Sequence, residues 1–517
     1  MKPIIGSAMP RTLRRADPLL TLLAYFDRRD LNRGWHLAAM IMLMLVISYP
    51  FRWSGNEENY FPLAYRFVYP EAFGASSAVF DASRSKFAGF WMIGELVGLV
   101  GYEAAHLILA VLIALLLGYA LYRVTRALGL SALEALCLLF LFYASGQALM
   151  GGEGFLSGVE TKTFAYAFGL LALADVTEAR WLRATLWAAL ATYMHFEVGG
   201  LWFAIAAAFL LLVHRDWRSP LAMCGLYALL TLPELGVLVL DQHVSAAAMR
   251  PTGSPSADYI YTVIRNAHHI APFAAVDGWR EGLARGLGYA VLIMLVAARA
   301  ARSDRPRLRT LGWLTMLLAA YMFVAAGLSW LDRDTGALGK FYLFRPASAL
   351  FLLALIMGFA LWREMARGAE FGRLLPIAAI MAVIFIQGLT RPLNGQERPL
   401  DARERAMVTA VATRTRPDDV VLLDPATDTR AGLSRQLDRQ TLVVWKFVPT
   451  APADIYRWWD LIKRRSATFS GDCTATRGLA DYLVATEHSV ATAARCGRTA
   501  WSNGYYTLIA LPARRAA

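Results

Sequence analysis

Apolar residues in this chain come in blocks. They run near 36–52, 104–123, 131–149, 162–177, 182–197, 198–213, 220–240, 285–301, 309–329, 345–362 and 374–390. A bilayer core of about 30 Å takes roughly 20 helical residues. The pattern therefore predicts an α-helical polytopic membrane protein with about eleven transmembrane helices. The blocks at 162–177 and 182–197 are at the short limit. Between blocks stand breaks carrying Arg123 and Arg126, Arg180 and Arg183, Arg215 and Arg218, Arg299 to Arg309, and Arg363, Arg367 and Arg373. Cytoplasmic loops are enriched in arginine and lysine, so these breaks are expected inside, together with the basic segment 1–34. An odd number of crossings then places residues 391–517 outside. The first block starts too late for a signal peptide, and no small-residue cleavage site follows it, so it is expected to remain as a span.

Polar segments fill the remainder of 35–390. The outside loops are expected at 53–103, 241–284 and 330–345. The stretch Phe87–Val100 is apolar but interrupted by Glu95 and glycines, a pattern that suits a helix lying along the membrane surface. The tail, 391–517, reads as an extracytoplasmic α/β domain. Strands are predicted at Val420–Asp424, Thr441–Val448, Tyr482–Thr486 and Tyr505–Leu511, and helices at Leu400–Thr413 and Ala453–Arg465.

Composition agrees with the pattern. Hydrophobic residues make up 57% and charged residues 18%, against about 25% charged in a soluble domain. Mean hydropathy is +0.42. Disorder, collagen, coiled coil and disulfide-rich miniprotein are excluded. The net charge of +13 does not point to nucleic acid, because the arginines sit in short loops between apolar blocks. Cys137 and Cys224 lie inside such blocks. Cys473 and Cys496 lie in the polar tail and suit a disulfide in an oxidising compartment. The bacterial inner membrane is the expected location, with the N-terminus cytoplasmic and the tail periplasmic.

Soluble-enzyme signatures are absent: no P-loop, no HExxH, no paired CxxC, no dinucleotide fingerprint. Candidate chemistry falls near the predicted outer membrane face. Glu57 and Glu58 follow the first block closely. Two carboxylates there suit a general base, or simply a solvated acidic loop. Glu160 and Lys162 begin a block, and a lysine there suits a phosphate as a point charge or a snorkelling anchor. His195 and Glu197 sit at the outer end of a short block, with Glu234 and His106 at comparable depth. Ionisable groups at such depth tend to face cavities. Lys340 and Arg345 flank a block start, where a guanidinium suits bidentate phosphate binding or an interfacial anchor. His268 and His269, with Asp258 and Asp277, make a weak metal candidate. No cofactor is expected, a divalent metal being the minor possibility. Trp445, Trp458 and Trp459 suit core packing better than sugar stacking.

The combination resembles the GT-C class of integral membrane glycosyltransferases. The shared features are an inside N-terminus, a first span leading to the acidic loop Glu57-Glu58-Asn59-Tyr60, an amphipathic segment before the second span, some eleven spans, and an outside α/β tail. The tail run Arg439 to Phe447, with Pro449 and Ile455 to Trp459, is similar to tails of bacterial members of that class. The resemblance implies transfer of a sugar from a polyprenyl-phosphate donor to a cell-envelope acceptor. Glu58 or Glu57 would act on the acceptor hydroxyl, with inversion at the anomeric carbon. Asp81 joins them, and with His195 it would shape the acceptor side. Lys162, Arg345 and Lys340 would hold the donor phosphate, and Glu160 and Glu197 would shape the site. The implied partners are the sugar-bearing lipid, membrane lipid, and a glycan, lipid or protein acceptor. The rival readings are a transporter or lipid flippase, and a non-catalytic envelope assembly protein with the tail as a partner-binding module.

Overall fold

The computed structural model describes residues 33–48, 53–72, 86–150, 154–155, 158–245, 250–273, 280–365, 399–430, 432–437 and 439–512. Its helical part runs α1 (Arg33–Ser48), α2 (Glu57–Val68), α3 (Phe87–Ala127), α4 (Ala132–Ala144), α5 (Thr161–Thr177), α6 (Trp181–Met194), α7 (Phe196–Phe209), α8 (Arg218–Ser245), α9 (Arg280–Ala300), α10 (Pro306–Leu331) and α11 (Pro346–Met365). A π-helical stretch, Leu210–His214, continues α7.

Helix α5 is the hub. Every residue in it except Phe168 is buried. A helix apolar all round belongs inside a bundle. Gly169 lets the Trp202 indole of α7 come closer than any side chain would allow, since a Cβ there would lie 2.3 Å from Nε1. Peripheral helices show the opposite surface. Leu107, Ile108, Val111, Leu112 and Leu115 on α3, and Leu292 and Leu295 on α9, are all exposed. Soluble monomers rarely expose contiguous apolar surface on this scale, so these faces suit lipid.

Among the described residues six helices are long and apolar enough to cross a membrane: α3, α7 with its extension, α8, α9, α10 and α11. The sequence expectation was about eleven. α1 and α4 are apolar but shorter. α5 and α6 have 17 and 14 residues, and the expected span at 374–390 lies outside the described residues.

Helix α3 has 41 residues, about 60 Å at 1.5 Å per residue, far more than a bilayer core. Gly101 breaks it, with φ 79° and ψ 170°. The limb before the break packs on α2, where Gly94 takes the Ala64 carbonyl so closely that a Cβ would lie 2.2 Å from its oxygen. The expected surface helix 87–100 and the expected span from 104 are thus two limbs of one element.

The tail holds α12 (Ala402–Arg414), β1 (Val420–Leu423), β2 (Gln440–Thr441), α13 (Pro452–Phe469), β3 (Tyr482–Thr486), β4 (Arg498–Ser502) and β5 (Tyr506–Ala510). The sheet order is β2-β1-β3-β5-β4. β2 and β3 run parallel to β1, while β3–β5 and β5–β4 are antiparallel. The strand predicted over 441–448 is confined to β2, and β4 was not predicted. Trp458 is fully buried in the tail core, its indole N–H donating to the Val444 carbonyl at 3.1 Å. Cys473 and Cys496 are joined by a disulfide with Cα atoms 4.9 Å apart.

The tail is not a free appendage. Ala257 and Ile260, from the loop after α8, share its apolar core with Ile455, Trp458 and Leu442. The Ala257 amide donates to the Tyr456 hydroxyl at 3.1 Å, and the Arg265 guanidinium donates to the Trp445 carbonyl at 2.8 Å.

Candidate functional site

Helix α2 begins with two adjacent carboxylates, both 1% exposed. Acidic residues in a first helical turn face the positive end of the macrodipole. Here each has further partners. Glu57 accepts from the Val159 amide at 2.6 Å and from the Ser54 amide, and its Oε1 lies 3.1 Å from His106 Nε2. The approach to residues 158–159 requires glycine. Gly158 has φ +98°, and a Cβ there would lie 2.5 Å from the Glu57 carboxylate. Glu58 takes a bidentate pair from Arg435 of the tail, at 2.6 and 3.0 Å. The same guanidinium reaches Glu103 at 2.9 Å and lies 4.0 Å over the Trp53 ring. The Trp53 indole donates to Glu103 at 2.9 Å and stacks on His106. The expected acidic loop is thus a buried, partnered helix start and not a solvated one.

A second group lies beside it. Asn56 donates to Glu160 at 3.1 Å, and Lys162 stands 3.2 Å from Glu160. Glu160 precedes α5, and its side chain is fully buried. The start of α5 touches the starts of other elements. A Cβ on Gly89, in the first turn of α3, would meet Thr161 at 2.6 Å and the Met194 carbonyl at 3.3 Å. His195, between α6 and α7, is 2% exposed, and its Nε2 lies 3.2 Å from Arg345. Arg345 also pairs with Glu197 and lies 4.1 Å over the Tyr342 ring. Lys162 and Lys86 both act on the His195 ring through their charge, as Arg345 does. Lys86 donates to the Tyr60 hydroxyl at 3.2 Å and has no carboxylate within ion-pair distance among the described residues. Tyr261 and Tyr342 share a hydrogen bond of 3.0 Å next to it.

The structure therefore gathers Lys86, Lys162, His195, Glu197 and Arg345 at one end of the bundle, where α3, α5, α7 and α11 start. Those helix starts add partial positive charge to three full ones. The carboxylates in reach are Glu160, fully buried, and Glu197, whose side chain is 27% exposed. Among the described residues, several buried polar atoms here have no hydrogen-bond partner: Asn59 Oδ1, Thr161 Oγ1, Thr163 Oγ1 and His195 Nδ1. Such atoms are costly unless a ligand or water satisfies them. Lys340 lies at the margin, paired with Asp258 at 3.3 Å. Asp81 and Asp277 fall outside the described residues. Among the described residues no three His, Cys, Asp or Glu side chains are grouped to hold a metal. His268 and His269 face one another at 3.9 Å between ring centroids.

Arg435, Glu103 and Lys86 were not among the residues singled out from sequence. Arg435 gives no local signal, because its partner is 377 positions away. Lys86 does give one. The chain has 52 basic residues, yet the lysines are only Lys2, Lys86, Lys162, Lys340, Lys446 and Lys463. Three of these lie at or beside this group.

These features define a helical chain with several apolar helices, pointing to a membrane protein, and a charged centre at one end of its bundle. No family model matches the chain, and no curated protein matches it.

Proposed function

We propose that the protein is a membrane glycosyltransferase that takes a sugar from a polyprenyl-phosphate donor. The observation that carries this reading is the convergence of Lys86, Lys162 and Arg345 with four helix starts. This array is built for an anion held at the membrane surface. The donor phosphate sits among those three cations. Arg345 exchanges Glu197 for a phosphate oxygen, which suits the planar, bidentate guanidinium. Glu197 is then left without its cation and is the carboxylate of the group with solvent access. The acceptor hydroxyl attacks the anomeric carbon from the face opposite the phosphate, and its proton goes to Glu197. The carbon–oxygen bond to phosphate breaks with its electron pair on the departing phosphate, giving inversion. The cations offset the charge that develops on that leaving group. Glu57 and Glu58, with their partners, hold α2 and Tyr60 against this centre. A base role for either requires His106 or Arg435 to let go.

Native mass spectrometry of the protein in lipid discs tests the donor. A retained polyprenyl phosphate is expected. Lys86→Ala, Lys162→Ala and Arg345→Ala should each weaken its binding at least tenfold, about 1.4 kcal/mol. Unchanged affinity in all three would remove the reading. Glu197→Gln should keep donor binding and lower transfer by roughly 10²–10⁴. If Glu58→Gln or Glu57→Gln gives that loss and Glu197→Gln does not, the base lies on α2.

A further inference from the structure

A threonine inside a helix can return its hydroxyl to the carbonyl one turn earlier. Thr125, Thr185, Thr192, Thr231 and Thr315 all do so, each donating to the carbonyl four residues back at 2.8–3.0 Å. Thr161 and Thr163 do not. They are 0% and 1% exposed, and among the described residues neither hydroxyl has a partner. Both stand in the first turn of α5, which has no preceding helical carbonyl to receive them. Side chains on a helix tilt toward its N-terminus, so both hydroxyls aim at the end of the bundle where the charged centre lies.

Two further orphan atoms lie beside them. Asn56 donates to Glu160, the residue before Thr161. Asn59 stands three residues after Asn56, on the same side of the start of α2, and its Oδ1 is buried without a partner among the described residues. Gly89 is crowded both by Thr161 and by the Met194 carbonyl, which brings in His195. Arginine has no acceptor, so the Arg345 contact makes Nε2 of His195 the acceptor and leaves the ring proton on Nδ1. That nitrogen is the fourth orphan.

The four atoms share a chemistry. Asn59 Oδ1 accepts, His195 Nδ1 donates, and the two hydroxyls do both. None carries a formal charge. A phosphate oxygen only accepts, so it does not suit Asn59 Oδ1, and the fully buried Glu160 repels it. A sugar hydroxyl donates and accepts, and so fits all four. We propose that Asn59, Thr161, Thr163 and His195 form the subsite for a neutral, hydroxyl-bearing sugar, next to the cations that hold its phosphate. The inference rests on the polyprenyl-phosphate donor reading and names the class of sugar that the donor carries. Glu160 disfavours an acidic sugar. A bare lipid phosphate leaves four buried polar atoms unpaired, and sites built to bond a ligand hydroxyl discriminate strongly against ligands that lack it.

The test uses the full chain in lipid discs. One arm measures, by native mass spectrometry, retention of a polyprenyl phosphate that is bare or bears glucose, galactose or mannose. The other follows the unfolding midpoint with the methyl glycosides of the same sugars, which carry no phosphate. The parent should hold one sugar-bearing lipid at least about tenfold more tightly than the bare one, and the matching glycoside should raise its midpoint. Thr161→Val/Thr163→Val keeps the shape and removes both hydroxyls. It should lose the sugar preference and the glycoside shift while holding the bare lipid as before. Thr161→Ser/Thr163→Ser should retain both responses. Without ligand the valine variant should unfold no earlier than the parent, since it gives up no hydrogen bond; hydroxyls with a structural role would give the reverse. Lys86→Ala should weaken bare and sugar-bearing lipid equally. Lipid retained without sugar preference, or a preference that survives in the valine variant, overturns the subsite and leaves the donor reading standing. A glycoside shift that needs both threonines, with no lipid retained, keeps the subsite and removes the donor reading. Neither retention nor shift removes both.

Discussion

Asp424 shows how much one side chain can carry. It ends β1 at 4% exposure. Burial pushes its carboxyl up, but donors from Ser489, Thr486 and the Ala426 amide outweigh that and hold it below the ordinary carboxylate value. Its share of stability is therefore complete above an unfolded value near 3.9. That share is lost as pH falls through the lower folded value. The unfolding midpoint of the tail, followed by tryptophan fluorescence, should fall between about pH 5 and pH 2. Asp424→Asn should cost about 2–3 kcal/mol at neutral pH, the worth of a charged hydrogen bond, and less at the acid end. A variant whose deficit stays constant with pH would contradict this account. Gly158 is a second such residue. Gly158→Ala puts a Cβ on a left-handed backbone and against the Glu57 carboxylate, so a loss of at least about 1–2 kcal/mol in thermal stability is expected.

Elements with a strong period were legible in the chain, and elements defined by their neighbours were not. The blocks at 162–177 and 182–197 predict short spans because their composition is apolar. α5 is apolar for a different reason: it is surrounded by protein. Hydropathy does not separate those two causes. β3 was predicted at its observed bounds since Tyr482–Thr486 is a short buried run. β4, Arg498–Ser502, is mostly exposed and edges the sheet, so it lacks an apolar signature. Site residues followed the same division. Lys162, His195, Glu197 and Arg345 stood out as charges beside apolar blocks, but their meeting depends on how four helix starts pack. The bond Cys473–Cys496 spans 23 positions and ties the segment after α13 to the approach to β4. The chain-entropy account gives it about 3 kcal/mol. Reduction should lower the unfolding midpoint of the tail, and the Cys473→Ser/Cys496→Ser variant should show the same drop with no further effect of reductant.

At the scale of the molecule, tail and helical part are joined by polar contacts of unequal weight. Arg435 is the heaviest, a guanidinium 14% exposed shared between buried Glu58 and exposed Glu103. Arg435→Ala takes this bidentate guanidinium from buried Glu58, at a cost of up to about 3–5 kcal/mol. Limited proteolysis should then release the tail, while Glu58→Gln/Arg435→Gln, which removes both charges, should recover part of the loss. Equal protection of parent and Arg435→Ala would show that the apolar contact through Ala257 and Ile260 suffices alone.

The Arg435–Glu58 contact also sets an order in time. Glu58 is made 377 positions ahead of its partner. At about 5–20 residues per second, a ribosome needs roughly 20–75 s to cover that distance. Throughout that interval the first loop exists without the guanidinium that the tail supplies to Glu58. The loop therefore reaches its final form last, when the tail arrives, and a chain released early would display an unfinished α2 to whatever surveys the nascent protein.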